Sequence, residues 1–407
     1  MTDSIKVHIS IAKINQESLA KVPRPQLLKT DQHDPNVIAG IVSQKQYPTS
    51  PLTGNGYELK TLADAHGQIL GIDVSVNVPN CLVGQNIEHG LSVYAASCST
   101  LLLVQHYLVK HGVPKEEVDK LEHDDIDITQ VTLTYLIPSK DTATDMGLIT
   151  NTICTLHPER KKHKGKYAEG TQGFFDADGN KTIRCNLRLF ALSCYAKASD
   201  LLTGTEHEAF GQSHIRIELI LHSSELKSMQ RSKPHNWIGA HQSGAYADIF
   251  ETYVRNKFFR LHENLRQNRP DASDIAKLTG LSLSVFKGYM EGRDPRTKSQ
   301  FKELKAKNPR AEQKLYSQVK RDIFEKLRID ITIPFSKHMQ LSTAKLERLM
   351  VWAGDHQPSE DVVENCFCMG NWGQLKKKLE AAIQDAMVDT VNTWASRRAT
   401  PKHQEIV

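Results

Sequence analysis

The chain lacks most of the features that assign a protein to a class at sight. Its seven cysteines (Cys81, Cys98, Cys154, Cys185, Cys194, Cys366 and Cys368) contain no Cys-x-x-Cys pair. An odd, scattered set argues against a disulfide framework and against a zinc ribbon, and points to a reducing, cytoplasmic setting. No apolar run approaches the ~18 residues that a membrane helix needs. The opening stretch MTDSIKVHISIAKI has no apolar core of signal-peptide length, so no membrane partner is expected. GTQG at 170–173 lacks the Lys-Ser/Thr that completes a phosphate-cradling loop, which leaves ATP hydrolysis without support. His-Glu-x-x-His and Gly-x-Ser-x-Gly are both absent, as are internal repeats and low-complexity tracts.

What is present is a chain of 407 residues, 39% hydrophobic and 24% charged, enough for two or three domains with a sizeable core. The net charge of +5 says little by itself; its distribution says more. HPERKKHKGK (157–166) is a dense basic run, and residues 293–328 hold many Lys and Arg with few acids. A basic stripe is the electrostatic footprint of a phosphate binder, although a solvated loop or helix face has the same composition.

The first 250 residues read as strands with intervening helices. VHISIA (7–12), GQILGIDVSVNV (67–78), DITQVTLTYLI (127–137), TIRCNLRLFAL (182–192) and HIRIELILH (214–222) show β-branched residues and period-two alternation. Residues 90–112 and 141–156 have helical spacing, and DADGN (176–180) is a turn signal that predicts a hairpin. The pattern predicts an α+β domain, with helices on one face of a mostly antiparallel sheet. Beyond 250 the chain turns helical. Residues 248–267 read as one amphipathic helix, and 271–292 as a helix-turn-helix. Residues 311–335 read as a basic helix running into a short strand, which suggests a winged helix. The expected domains are therefore 1–250, 251–335 and a C-terminal helical extension, 336–407.

The segment RLFALSCYAKASDLL (188–202) raises a chemical question, because Tyr195 is followed two places on by Lys197. On a strand the two share a face. A tyrosine with the ordinary pKa of ~10 is a poor nucleophile, but a neighbouring cation favours the phenolate and can also stabilise charge on a phosphate under attack. An ordinary half-buried strand carries the same residues.

Three blocks make the chain resemble the gene II/X replication proteins of filamentous phages and related rolling-circle initiators. They are GIDVSVNVPNCLVGQNIEHG (71–90), LRLFALSCYAKASDLL with HIRIELILHSSEL (214–226), and SVFKGYMEGRDPR (284–296) with KLYSQVKRDIFEKLRIDITIPF (314–335). The resemblance covers roughly residues 70–335 and implies a ferredoxin-like nuclease domain, similar to endonucleases with a His-hydrophobe-His site. It implies a site-specific single-strand endonuclease and strand transferase, whose tyrosine keeps the 5′ phosphate and frees a 3′ hydroxyl. Tyr195 falls on the family's tyrosine, with Lys197 beside it. A divalent ion, Mg²⁺ or Mn²⁺, is implied, with Asp73, Gln85 and Glu218 as candidate ligands. Gln85 stands where the family has histidine and Thr132 where an aspartate is common, while His89 lies close behind Gln85. A neutral amide holds Mg²⁺ or Mn²⁺ more weakly than a carboxylate. These departures favour a rival, a DNA-binding regulator of the same fold without nuclease activity.

In the helical part, Lys314, Gln318 and Arg321 fall near one face, Lys320 on its flank, and Leu315, Val319, Ile323 and Leu327 form an apolar stripe. That pattern fits a recognition helix in a major groove, and equally a charged helix on the surface of a bundle. Arg216 is a further candidate DNA contact. The expected partners are origin DNA, duplex and single strand, with a host helicase and polymerase, in a bacterial cytoplasm.

Overall fold

A computed structural model describes residues 2–23, 45–64, 67–84, 91–158, 170–175, 181–196, 213–240, 243–352, 373–374 and 376–386. Two compact units interleave along the chain. Residues up to Tyr135 and Glu218–Tyr246 belong to the first, and Leu136–Ile217 with Ala247–Ala353 form the second. The chain changes unit between residues 135 and 136, 217 and 218, and 246 and 247, the first two changes falling within strands.

The strands are β1 (Thr2–Ser10), β2 (Lys45–Gln46), β3 (Glu58–Ala63), β4 (Ile69–Asn77), β5 (Ile126–Pro138), β6 (Gly170–Phe175), β7 (Lys181–Asn186), β8 (Phe190–Ala196) and β9 (His214–His222). In the first unit they run in the order β2-β3-β4-β1-β5-β9. Antiparallel pairing puts Val7 opposite both Val74 and Ile128. Alternation then does what the sequence pattern predicts. Ile5, Val7, Ile9, Ile72, Val74, Val76 and Ile128 are buried on one face, while Lys6, His8, Asp73 and Asp127 lie on the other. A bulge between Lys6 and Val7 is held by the Thr129 hydroxyl, which donates to the Lys6 carbonyl at 3.0 Å.

Of the helices, α1 is Val78–Val83 and α2 is Val93–Lys110. The second packs on β1 and is buried along most of its length. Its hydroxyls cope with that burial by bonding backwards: Ser97 donates to the Val93 carbonyl at 2.8 Å and Thr100 to Ala96 at 2.9 Å. The N-terminus of α2 is closed by Ser92, whose oxygen accepts from Ala95 N–H, and by Tyr246, whose hydroxyl accepts from Val93 N–H.

The second unit holds the run β9-β8-β7-β6. The hairpin expected around 176–180 is present as the pairing of β6 with β7, although the turn itself lies outside the described residues. The segment 182–192, read from sequence as one strand, is two. Leu187 N–H bonds the Phe190 carbonyl at 2.9 Å, and the chain folds back as β7 and β8, with Arg184 opposite Ser193. The alternation runs through this tight turn without a Gly or Pro to mark it. Helix α4 (Thr142–Leu156) packs on β6 and β8, and α3 is the single turn Lys115–Val118 of the first unit.

After the short helix α5 (Ser223–Ser228) of the first unit, the second unit continues with α6 (Ala245–Ile249), which widens into a π-helix over Phe250–Phe258. The helix expected to reach residue 267 stops there, because Arg260 adopts φ +54° and Asn264 φ +48°. Next come α7 (Ala272–Ile275), α8 (Gly280–Met290), α9 (Ser299–Lys307), α10 (Pro309–Leu327), α11 (Phe335–His338) and α12 (Thr343–Leu349). A core of Val285, Phe286, Tyr289, Phe301, Tyr316, Val319, Ile323 and Leu327 joins α8, α9 and α10. The helix-turn-helix spacing over 271–292 holds, but the wing does not. Residues 328–334 form turns rather than a strand, and Ile329, Ile331 and Ile333 are buried by packing instead of by pairing.

Candidate functional site

Tyr195 sits near the end of β8, half-buried, after five buried residues. β9 lies beside β8 and supplies Arg216, 3% exposed, whose guanidinium carbon is 6.0 Å from the centre of the Tyr195 ring. A guanidinium stays charged throughout the physiological range, so this is a permanent cation beside a phenol. A cation in this position can interact with the face of the Tyr195 ring. Arg216, expected from the sequence to contact DNA, is buried beside Tyr195. Lys197, the cation that drew attention to this tyrosine, lies outside the described residues.

Asp73 and Glu218 do not share a site. In the strand order β4-β1-β5-β9 they are three inter-strand spacings apart, on the order of 14 Å at ~4.8 Å per spacing. Asp73 belongs instead to a row of charges across the polar face of the first unit. Register places Lys60 opposite Asp73, Asp73 opposite His8, and His8 opposite Asp127. His8 Nδ1 is 2.9 Å from Asp73 Oδ1, and Lys233 Nζ is 3.0 Å from Asp127 Oδ1. The bond to Asp73 raises the His8 pKa; partial burial opposes this, and the charge of Asp127 adds to the rise. Gly71 makes room for the ring: a Cβ there would stand 2.4 Å from His8 Cε1. His8 was overlooked in the sequence because VHISIA reads simply as a strand. Only the register, which sets it between two aspartates opposite a glycine neighbour, singles it out.

Thr132, in the position where the resemblance implies an aspartate, is 4% exposed and accepts a bond from the Ser4 hydroxyl at 2.9 Å. Gln85 and His89 lie outside the described residues. Among the described residues no three His, Cys, Asp or Glu side chains converge as a metal site requires.

On α10, Lys314, Gln318 and Arg321 are all exposed, as their spacing predicts. Lys320, its side chain 39% exposed, places Nζ 3.6 Å from Asp330 Oδ1, which is 1% exposed. Asp330 also takes Arg260 Nη2 at 2.8 Å and the Thr332 hydroxyl at 2.7 Å. Burial pushes this carboxyl up, but Arg260, Thr332 and Lys320 outweigh it and hold it below the usual range. Lys320, expected from the sequence to contact DNA, is thus also a partner of a buried carboxylate. The buried stripe of the helix is also shifted from the expected one, with Tyr316 in place of the half-buried Leu315.

No helix among the described residues is long and apolar enough to cross a membrane. No family model matches the chain, and no curated protein sequence does. Among solved structures, the chain is similar in part to a rolling circle replication initiator protein from Geobacillus stearothermophilus. Identity is 12% over 55% of this chain and 74% of that one, with a TM-score of 0.23, too low to carry an argument about fold or activity.

Proposed function

We propose that the chain is a rolling-circle replication initiator that nicks and rejoins single-stranded DNA through Tyr195. The observation that carries this reading is the pairing of a half-buried tyrosine at the end of β8 with the buried guanidinium of Arg216 on the neighbouring strand. In the proposed step the phenol oxygen attacks phosphorus and a new O–P bond forms. The P–O bond to the 3′ oxygen breaks, and the phenol proton is balanced by one taken up on that oxygen. A 5′-phosphotyrosine and a free 3′ hydroxyl result, and reversal onto another 3′ hydroxyl rejoins the strand. The exposed side chains of α10, Lys314, Gln318 and Arg321, hold origin duplex in this reading.

The test is incubation with single-stranded DNA of the parent replicon in Mg²⁺ or Mn²⁺, followed by denaturing electrophoresis. A protein–DNA adduct is expected from the natural chain and none from Tyr195→Phe, with binding to origin duplex unchanged. An adduct that persists in the variant removes Tyr195 as nucleophile.

The distance between Asp73 and Glu218, and the engagement of Asp73 with His8, favour a second reading: a DNA-binding regulator without nuclease activity. It predicts salt-sensitive duplex binding and no adduct under any metal condition.

A further inference from the structure

The second unit contains a cavity of about 690 Å³ that the tyrosine chemistry does not use. We infer that it is a site for an unpaired nucleotide of a single-stranded nucleic acid. This rests on the DNA-handling reading above and extends it to a different surface. Tyr289, Tyr316 and Ile331 are buried in its floor, Phe335 lines it half-buried, and Arg293 and Arg296 stand exposed at its rim. The volume lies in the range of small-molecule sites, and the lining has their usual form, apolar and aromatic with a few polar groups.

The backbone that carries the two arginines is fixed before anything binds, and the Arg293 guanidinium is paired with Glu291. They stand on a turn in which Arg293 N–H bonds the Gly288 carbonyl at 3.0 Å and Arg296 N–H bonds Asp294 Oδ1 at 2.9 Å. The Arg296 guanidinium lies 4.3 Å from the centre of the Tyr316 ring and donates to Gln313 Oε1 at 3.2 Å. Tyr316 is 6% exposed whereas Arg296 is exposed, so the guanidinium plane keeps a face open to a ligand. Phe335 meets Tyr289 edge-on, with centroids 5.5 Å apart, which steadies its ring beside the cavity.

Charge selects the occupant. Between residues 287 and 321 the sequence has eleven Lys or Arg against four Asp or Glu, so a polyanion is favoured along this surface. Flat apolar rings beside arginine forks suit a base and its phosphate. A duplex hides its base faces in the stack, whereas an unpaired nucleotide offers them.

The test uses the full chain and fluorescence anisotropy with an oligothymidylate of roughly 12 nucleotides, within the usual site size for single strands. A duplex of equal length is titrated in parallel. Arg296→Ala and Phe335→Leu are each expected to weaken single-strand binding about tenfold, the effect of removing one stacking interaction. Duplex affinity should stay within about twofold. Arg293→Gln, at a side chain 65% exposed, repeats the test without touching the core. In an oligonucleotide carrying 2-aminopurine, binding to the natural chain should quench emission, and Phe335→Leu should relieve the quench. Equal loss on both DNAs, no loss on either, or equal competition by polyglutamate overturns the inference. A natural chain that binds duplex but not the single strand overturns it alone. One that binds neither overturns the replication reading with it.

Discussion

Two histidines in this chain answer pH with opposite signs, and each answer follows from what surrounds the ring. His8 lies between Asp73 and Asp127, with Lys233 beyond, and its pKa is raised. Its contribution is complete below the unfolded value of ~6.5 and is lost as pH rises through the higher folded value. His338 is 0% exposed; its Nε2 accepts from Asp330 N–H at 3.2 Å, and among the described residues its Nδ1 has no hydrogen-bond partner. Burial lowers its pKa, and the charge of Arg260 adds to the effect against the opposing pull of Asp330. Stability therefore falls as pH drops below ~6.5, where the unfolded chain takes up a proton and the folded ring does not. Urea melts of His8→Gln should show a deficit against the natural chain that is largest at acid pH and fades in alkali. A deficit independent of pH would mean that the ring is held by packing alone. Gly71→Ala tests the same point from the opposite strand. A Cβ that would fall 2.4 Å from His8 Cε1 and 3.1 Å from the Ile9 carbonyl must displace the ring. We expect a loss of about 1–3 kcal/mol, as for other overpacked sites, and a His8 titration by NMR that moves back toward ~6.5.

At the scale of elements, α10 carries two kinds of cation that look identical in the sequence. Lys314 and Arg321 face solvent, while Lys320 turns toward Asp330, which Arg260 also holds. Replacing Lys314 and Arg321 with alanine should leave stability within about 0.5 kcal/mol, as for ordinary surface changes. The same change should flatten the salt dependence of duplex binding by about 0.9 in log–log slope for each phosphate no longer neutralised. Asp330→Ala should instead cost about 1–3 kcal/mol, because the Thr332 N–H and hydroxyl lose their buried acceptor and Arg260 is left with Glu263 alone. Thermal melts alongside DNA titrations separate the two outcomes.

The contrast shows which parts were legible from sequence. Strand β9 and the long helix α2, buried on more than one face, are legible from their apolar content. Strands such as β1 and β4 announce themselves, because one face of each is buried and polarity follows. The turn between β7 and β8 does not, since Leu187 to Leu189 continue the alternation through a reversal made only by a backbone bond. The end of the π-helix is equally silent: Arg260 leaves the helical region in company with Glu263 and Asp330, one of them seventy residues away in sequence. The burial of Arg216 beside Tyr195 was not legible, because burial on a strand depends on its neighbours.

For the molecule as a whole, the interleaving of the units decides which fragments can stand alone. The span 251–335 looks self-contained in sequence, yet it omits His338, whose ring accepts the Asp330 N–H, and Leu341, which packs with Leu265 and Ile333. It also omits the Met350 and Glu347 carbonyls to which the Arg255 guanidinium donates. A cut at 335 therefore exposes a buried carboxylate network and an apolar cluster together, and losses at such sites commonly reach several kcal/mol. Leu156 of α4 packs on that same cluster, so even residues 247–352 lack one wall of it. We expect residues 251–335 to melt without a cooperative transition. Residues 247–352 should show one, at a temperature below that of the full chain. Both are followed by circular dichroism at 222 nm, the usual helix signal. Only the longer fragment should bind duplex with an affinity that falls steeply between low and moderate salt, since phosphate binding needs the α10 surface held in one conformation. Cooperative melting of 251–335 at the temperature of the longer fragment would show that His338, Leu341 and the carbonyls of α12 contribute nothing to the fold of this region, and the buried network around Asp330 would then close without them.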